Sequence, residues 1–131
     1  MEQARKDIEA QMQLYFDGLY LSDVERLKKV LAPDARYICA TGDEVVNLGM
    51  EEYFPIVAAR QSPAAQGETR RDKVVSITLA GPKTAFVLAR CAVGERYFTD
   101  FLTFIKTDRS WQIISKVFHY DLISSTSPVT E

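Results

Sequence analysis

The sequence predicts an α+β fold in which N-terminal helices pack on a long, curved, mainly antiparallel sheet, forming a cone-shaped barrel with an internal pocket. Apolar residues recur at helical spacing in the first half of the chain, whereas from residue 70 onward they alternate with a period of two. Short connections join the strands of the second half and favour antiparallel hairpins. Strands of about ten residues twist and curl, so helices that cover the concave face incompletely leave a cavity.

Three helices are predicted in the first half of the chain. The first carries an apolar stripe that includes Ile8 and Met12. Ser22 and Glu25 have the spacing of a capping box and mark the start of the second helix. Pro55 is expected to distort the middle of the third helix or to lie near its first turn. The predicted helices span residues 2–20, 23–31 and 50–60, and two short strands span residues 34–40 and 44–48.

Four longer strands follow a loop over residues 61–67, and they are predicted to span residues 70–79, 83–93, 96–106 and 111–120. If residues 107–110 form a four-residue loop, Asp100 opposes Val117 and has His119 as its diagonal neighbour. On this count one sheet face, which we expect to line the pocket, consists of Phe98, Asp100, Leu102, Phe104, Trp111, Ile113, Ser115, Val117 and His119.

Asp100 is the first functional candidate, because a carboxyl group in an apolar row must find a partner, stay protonated or reach water. The alternative is a structural aspartate that bonds to Arg90, Arg96 or a helix N-terminus. His119, the single histidine of the chain, ends the last strand where a pocket mouth is expected. It is a candidate site residue or, alternatively, an ordinary rim residue.

The opposite face of the same strands is also rich in apolar residues. Since helices can cover only one side of the sheet, we expect this outer face to pair with a second copy in a symmetric homodimer. The predicted outer face consists of Tyr97, Thr99, Phe101, Thr103, Ile105, Ile114, Lys116, Phe118 and Tyr120.

The charge of the chain argues against a nucleic-acid partner. The formal net charge is -2, from 16 basic and 18 acidic residues, and no basic stripe is present. We expect no membrane partner, because no apolar run approaches the roughly 20 residues that span a bilayer. A polar N-terminal segment that does not resemble a signal peptide predicts a cytoplasmic location.

One domain over residues 1–123 and a flexible tail over residues 124–131 are expected from the length of 131 residues and the polar end of the chain. Cys39 and Cys91 lack the spacing of metal ligands and are interpreted as free thiols. No nucleotide-binding loop, metal cluster or nucleophile elbow is recognised, so we expect no cofactor and no metal.

The order of elements and several segments resemble the nuclear transport factor 2-like superfamily, which has a cystatin-like α+β cone fold. The resemblance covers nearly the whole chain, and it is closer still to a lumazine-binding family of bacterial proteins. The segments that carry it are LAPDARY at residues 31–37, RQSP at 60–63, YFTDFLTF at 97–104 and WQIISKVFHY at 111–120.

The resemblance extends to ketosteroid isomerase, a member of the superfamily whose oxyanion hole pairs a tyrosine with a protonated aspartic acid. By motif, these two groups correspond to Tyr15 and Asp100. The position of the catalytic base corresponds to Cys39, and a thiol shuttles protons poorly at neutral pH unless a cation lowers its pKa. The resemblance therefore implies a hydrogen-bonding pair for a carbonyl or enolate oxygen without the usual carboxylate base.

Three functions stay open on this basis. The first is a binding protein for a flat, mostly apolar small molecule. The second is an isomerase, dehydratase or cyclase acting on a small apolar carbonyl compound, with Asp100, Tyr15, His119 and Cys39 as catalytic residues. The third is a scaffold that works through its dimer face. The candidate ligand-binding residues are Tyr15, Tyr37, Tyr53, Phe98, Asp100, Leu102, Trp111, Val117 and His119, and Arg60 and Arg70 are candidates for further polar contacts at the mouth.

Overall fold

Three helices and two strands occupy residues 2–59, and four further strands follow between residues 73 and 122. The computed structural model describes residues 1–108 and 110–123, so the predicted tail over 124–131 lies outside the described residues. The elements are α1 (Glu2–Leu21), α2 (Val24–Val30), β1 (Leu31–Cys39), β2 (Val46–Gly49), α3 (Met50–Ala59), β3 (Lys73–Ala80), β4 (Thr84–Val93), β5 (Arg96–Lys106) and β6 (Trp111–Leu122).

The six strands form one curved sheet in the order β2-β1-β6-β5-β4-β3. Strands β3 to β6 are a meander of antiparallel neighbours, and β1 joins it by pairing in parallel with β6. The predicted α+β class and the four-strand meander are therefore confirmed. The sheet is not closed, because β2 and β3 remain its two edges, so the cone is open at one side.

Helix α1 lies on the concave face of the sheet and supplies much of the core. Its residues Ile8, Met12 and Tyr15 are almost completely buried, together with Leu102 and Trp111 from the sheet. Burying a large apolar side chain contributes about 1.5–3 kcal/mol relative to exposure. The apolar face of α1 that the sequence predicts, which includes Ile8 and Met12, is thus the face that packs on the sheet. None of the helices within the described residues is both long enough and apolar enough to cross a bilayer.

The junction between α1 and α2 differs from the predicted capping box. Ser22 ends α1 in the left-handed conformation, with φ at 50°. The N-cap of α2 is Asp23, whose carboxylate accepts a hydrogen bond from the Arg26 backbone N–H and pairs with the Arg26 guanidinium. The capping box of Ser22 and Glu25 is wrong because the tight turn already uses Ser22 to end the preceding helix.

Gly18 allows α1 and α2 to approach closely. A Cβ atom at this position would lie 2.7 Å from Leu27 Cδ2 and 2.8 Å from Leu27 Cγ, and Leu27 is fully buried. We expect Gly18→Ala to lower the free energy of unfolding by about 1–3 kcal/mol, although alanine favours a helix. Urea unfolding measures the change.

A double-mutant cycle with Leu27→Ala serves as the control for Gly18→Ala. Leu27→Ala alone removes buried methyl groups, but in its background the added Cβ atom has room, so its penalty disappears. An increase in stability from Gly18→Ala alone would contradict the close contact.

Two prolines lie inside regular elements. Pro33 lies within β1, which begins directly after α2 at Leu31, three residues earlier than predicted. Pro55 lies in the interior of α3, and the helix continues through it to Ala59. Of the two predicted positions for Pro55, the structure shows the interior one.

Candidate functional site

An irregularity in β6 decides which side chains face the interior. Lys106 pairs with Trp111 and Phe104 with Ile113, as predicted, but Thr103 then pairs with Ser115. Ile114 is therefore the extra residue of a β-bulge, and the register shifts by one from Ser115 onward. Asp100 lies opposite Phe118 and not opposite Val117.

The shift exchanges the two faces of β6 beyond the bulge. Lys116 and Phe118 are buried, whereas Val117 is 42% exposed and the His119 side chain is 57% exposed. The prediction that Ser115, Val117 and His119 share the face of Asp100 is wrong, as is the placement of Lys116 and Phe118 on the outer face. A one-residue slip moves every following side chain to the other side of the sheet.

Asp100 lies at the centre of a buried polar cluster formed with Tyr15 of α1 and Lys116 of β6. The Tyr15 hydroxyl donates a hydrogen bond of 2.5 Å to Asp100 Oδ2, and Lys116 Nζ lies 4.0 Å from the same oxygen. Tyr15 and Asp100 have no exposed surface, and Lys116 is 5% exposed. Asp100 Oδ1 is buried without a hydrogen-bond partner among the described residues.

The Lys116 ammonium is surrounded by four aromatic rings, which we call the aromatic cage. Its Nζ atom lies between 5.0 and 5.7 Å from the four ring centroids, a distance at which cation–π attraction stabilises a desolvated ammonium. The cage consists of Tyr15, Tyr37, Phe98 and Phe118. Lys116 is the central residue of the site that sequence reasoning missed.

Burial and the Asp100 carboxylate both raise the pKa of Tyr15 well above its usual value, so this side chain stays a neutral phenol. Burial acts to lower the pKa of Lys116, but the charge of Asp100, together with smaller contributions from Tyr53, Tyr37 and Cys91, outweighs burial, so the net shift of the pKa is upward. Burial, followed by the charge of Asp100, also raises the pKa of the Cys91 thiol. The cluster thus holds a phenol O–H, which is donated to Asp100, and an ammonium in an interior shielded from water.

These shifts predict a loss of stability in alkali. The usual pKa values of Cys91, Tyr15 and Lys116 are 9.0, 10.0 and 10.5, and all three are raised in the folded protein. Above pH about 9 the unfolded chain releases these protons first, so the free energy of unfolding falls by up to roughly 1.4 kcal/mol per pH unit for each group. Below that range the three groups are protonated in both states and contribute no slope.

Urea unfolding between pH 7 and 11 measures this dependence. Cys91→Ala is expected to remove the part of the decline that begins near pH 9, where the unfolded thiol titrates. A wild-type stability that stays constant up to pH 11 would contradict the assigned protonation states.

A cavity of about 420 Å³ opens at the end of the cone between the end of α3, β1 and the β4–β5 hairpin. Tyr37 and Phe98 belong both to the lining of this cavity and to the aromatic cage. Asp100 and Tyr15 are absent from the lining, so the polar cluster lies one layer of rings behind the cavity. The full lining is Tyr37, Ile56, Arg60, Gln61, Gln66, Glu68, Val93, Gly94, Glu95, Arg96, Phe98 and Leu122.

The remaining candidate residues are distributed between the core and the surface. Tyr53 is buried and stacks on Tyr37 at 4.4 Å, while Leu102 and Trp111 are core residues. Cys39 is a buried free thiol on β1. The structure therefore brings together Tyr15, Tyr37, Tyr53, Phe98 and Asp100, whereas Val117 and His119 lie outside this group.

Two other candidate residues, His119 and Arg70, already contact polar side chains of the protein. His119 Nδ1 lies 2.9 Å from Thr41 Oγ1, and its Nε2 lies 3.1 Å from Asp121 Oδ1. Arg70 forms ion pairs with Asp17 and Asp72 at 2.9 and 2.7 Å.

Residues 3–119 of the chain match the family described as "Putative lumazine-binding". The chain belongs to this family. Among solved structures, an NTF2-like protein of unknown function from Silicibacter pomeroyi has a TM-score of 0.79 at 20% identity, covering 92% of this chain and 98% of that one. An NTF2-like protein of unknown function from Shewanella baltica has a TM-score of 0.80 at 17% identity, covering 91% and 94%.

Further comparisons agree on the fold and add one named relative. A domain of unknown function with a cystatin-like fold from Nostoc punctiforme has a TM-score of 0.73 at 16% identity, covering 93% of this chain and 80% of that one. The predicted fold, that of nuclear transport factor 2-like and cystatin-like proteins, is thereby confirmed. The chain is also 28% identical over 107 residues to aldolase FrzH from Cladobotryum sp., covering 80% of this chain and 82% of that protein.

Proposed function

We propose that this member of the lumazine-binding family binds a flat, mostly apolar small molecule in the cavity at the open end of the cone. The observation that carries the proposal is Asp100, a completely buried carboxyl group directly behind the rings that line the cavity. One of its oxygens has no hydrogen-bond partner in the part of the chain that the structure describes. Burying such a group without full hydrogen bonding is costly, and costs of this kind concentrate at functional sites.

The volume of the cavity and two of its aromatic side chains suit a flat ligand. This volume of about 420 Å³ falls within the range of roughly 300–1,000 Å³ typical of small-molecule sites. Tyr37 and Phe98 offer aromatic faces to the body of the ligand. The proposal requires these two rings to move before a carbonyl oxygen reaches Tyr15 and Lys116. The name of the family makes lumazine, itself a flat heteroaromatic molecule, a natural first probe.

Saturation-transfer NMR with a set of flat aromatic compounds that includes lumazine tests the proposal. We expect at least one compound to bind the wild type, and Phe98→Leu to weaken its binding roughly three- to tenfold through loss of the ring face. Phe54→Leu is the matched control, because Phe54 lies outside the cavity lining. If no compound binds, or if both variants bind like the wild type, the cavity is not the ligand site.

The second candidate function is carbon–carbon bond chemistry, which the similarity to aldolase FrzH favours. In a retro-aldol reaction Asp100 would take the hydroxyl proton of a β-hydroxyketone, and the bond between the two central carbons would break. The electron pair would pass to an enolate oxygen stabilised by Tyr15 and Lys116. Return of the proton from Asp100 to the enolate carbon then gives the ketone and the aldehyde and restores the carboxylate.

This route assigns Lys116 an electrostatic role. Its raised pKa keeps the nitrogen as an ammonium, which lacks the lone pair needed to form an imine with a ketone.

Release of a naphthaldehyde from a naphthyl β-hydroxyketone measures the activity. The candidate requires that Asp100→Asn abolish this release, and full activity of that variant would rule it out. Cys39 remains a proposed base for the alternative isomerase or dehydratase chemistry, whereas His119 lies on the opposite face of the sheet from Tyr15 and Asp100.

A symmetric homodimer through the outer face of the sheet remains part of the proposal. Phe86, Phe101 and Val117 lie on this face with 40%, 51% and 42% of their surfaces exposed, and the two phenylalanine rings are in contact. Light scattering is expected to give twice the chain mass of 14.8 kDa, and Phe101→Glu to give the mass of one chain. A monomeric wild type would contradict the dimer. The cytoplasmic location stays a prediction.

A further inference from the structure

Arg60 directly follows α3 and lines the cavity at the open end of the cone. Its Nε and Nη2 atoms are buried and have no hydrogen-bond partner among the described residues. A guanidinium is always charged, and leaving its buried N–H groups without acceptors carries a high free-energy cost. Arg60 is therefore a partly buried positive charge at the cavity wall, and two of its N–H groups lack an acceptor among the described residues.

The two unpartnered atoms lie on the same edge of the guanidinium. Nε and Nη2 direct two N–H groups side by side, which matches the two oxygens of a carboxylate. Two other arginines of this chain use this edge on a protein oxygen. Arg70 donates both N–H groups to Asp72 Oδ2 at 3.0 and 2.7 Å, and Arg36 donates both to Asn47 Oδ1 at 3.0 and 2.7 Å.

No carboxylate of the cavity wall fills this position. Glu68 and Glu95 line the same cavity, but neither forms an ion pair with Arg60 within residues 1–108 and 110–123. Glu68 Oε1 instead accepts a hydrogen bond of 3.0 Å from the Gly94 N–H. The other arginine of the wall, Arg96, stacks on Tyr120 with its central carbon 4.1 Å from the ring centroid.

We propose that the ligand of the cavity is an organic carboxylate, held by the Nε–Nη2 edge of Arg60 with its flat body against Tyr37 and Phe98. The inference rests on the proposed function and adds the chemical class of the ligand. Binding supplies the missing acceptor for the buried guanidinium edge, so affinity comes from a charge-assisted pair shielded from water. A neutral ligand of the same shape leaves the edge unpartnered and binds more weakly.

Titration with benzoate and with benzamide tests the carboxylate, because the two probes share a ring and differ in charge at pH 7. Backbone amides of the cavity wall, such as Gly94, and the Arg60 Nε–H signal are followed by ¹H–¹⁵N NMR. Benzoate is expected to shift both sets of signals and to bind roughly 10- to 100-fold more tightly than benzamide.

Two variants complete the test. Arg60→Gln is expected to fold, because no acceptor within the described residues loses a bond to Nε or Nη2, and to bind benzoate as weakly as the wild type binds benzamide. Arg36→Gln is the matched control, since Arg36 lies outside the cavity lining, and it is expected to bind benzoate like the wild type.

The possible failures are distinguishable. If both probes shift the Gly94 amide with equal affinity while the Arg60 signal stays fixed, the cavity binds small molecules but the carboxylate assignment is wrong. If neither probe shifts any signal of the cavity wall, the carboxylate assignment and the proposed binding function fail together. Unchanged benzoate affinity in Arg60→Gln would also overturn the assignment.

Discussion

Asp100→Ala is expected to lower the free energy of unfolding by about 3–5 kcal/mol, because it leaves the buried ammonium of Lys116 without its counter-charge. The same change removes the acceptor of the 2.5 Å hydrogen bond from Tyr15. Asp100→Asn keeps an acceptor for the phenol but removes the charge, so a smaller loss is expected. Urea unfolding at pH 7 measures both variants.

The contact between Asp121 and His119 provides a matched control for this prediction. It joins an aspartate and a basic side chain on the same sheet, but the two side chains are 73% and 57% exposed. Asp121→Ala is expected to change stability little, because water screens and replaces an exposed pair. Equal losses from Asp100→Ala and Asp121→Ala would show that Asp100 does not hold a buried charge.

Removing all the polar groups of the cluster together is expected to have the opposite effect. The triple variant Tyr15→Phe/Asp100→Val/Lys116→Met leaves no unpaired charge and no orphaned hydroxyl. Replacing a buried ion pair by apolar residues is often neutral or stabilising by about 1–4 kcal/mol. We therefore expect the triple variant to be at least as stable as the wild type, although Asp100→Ala alone is strongly destabilised.

Ligand binding separates function from stability in this variant. If the cluster is retained for a ligand, the triple variant loses binding of any compound that the wild type holds, while its melting temperature stays the same or rises. A triple variant that is several kcal/mol less stable than the wild type would show that Tyr15, Asp100 and Lys116 serve the fold itself.

The fold and two of the three residues of the polar cluster could be predicted from local rules and from the family resemblance. The two-residue turn at Gly94 and Glu95 fixes the β4–β5 register, so counting from it places Asp100 opposite Ala89, as observed. The resemblance to ketosteroid isomerase paired Tyr15 with Asp100, and their side chains are hydrogen-bonded. Helical spacing on α1 predicted its buried face for the same local reason.

Lys116 could not be predicted from strict alternation, because a bulge adds one residue without changing the composition of the strand. The available signal was the pair of adjacent apolar residues Ile113 and Ile114. Inward residues fall on odd numbers before it, as at Trp111, and on even numbers after it, as at Phe118. The bulge turns Lys116 and Phe118 towards the interior, where they help to form the aromatic cage. The packing around Asp100 could therefore not be predicted either.

The most direct test of the account follows the ε-methylene protons of Lys116 by NMR. The four rings of the cage should shift these protons upfield and separate them from the other lysines. The compound with the strongest saturation-transfer signal is titrated, and the account predicts that the Lys116 signal moves with the same Kd as the Gly94 amide. A Gly94 amide that moves while Lys116 stays unchanged would show that the cluster takes no part in binding.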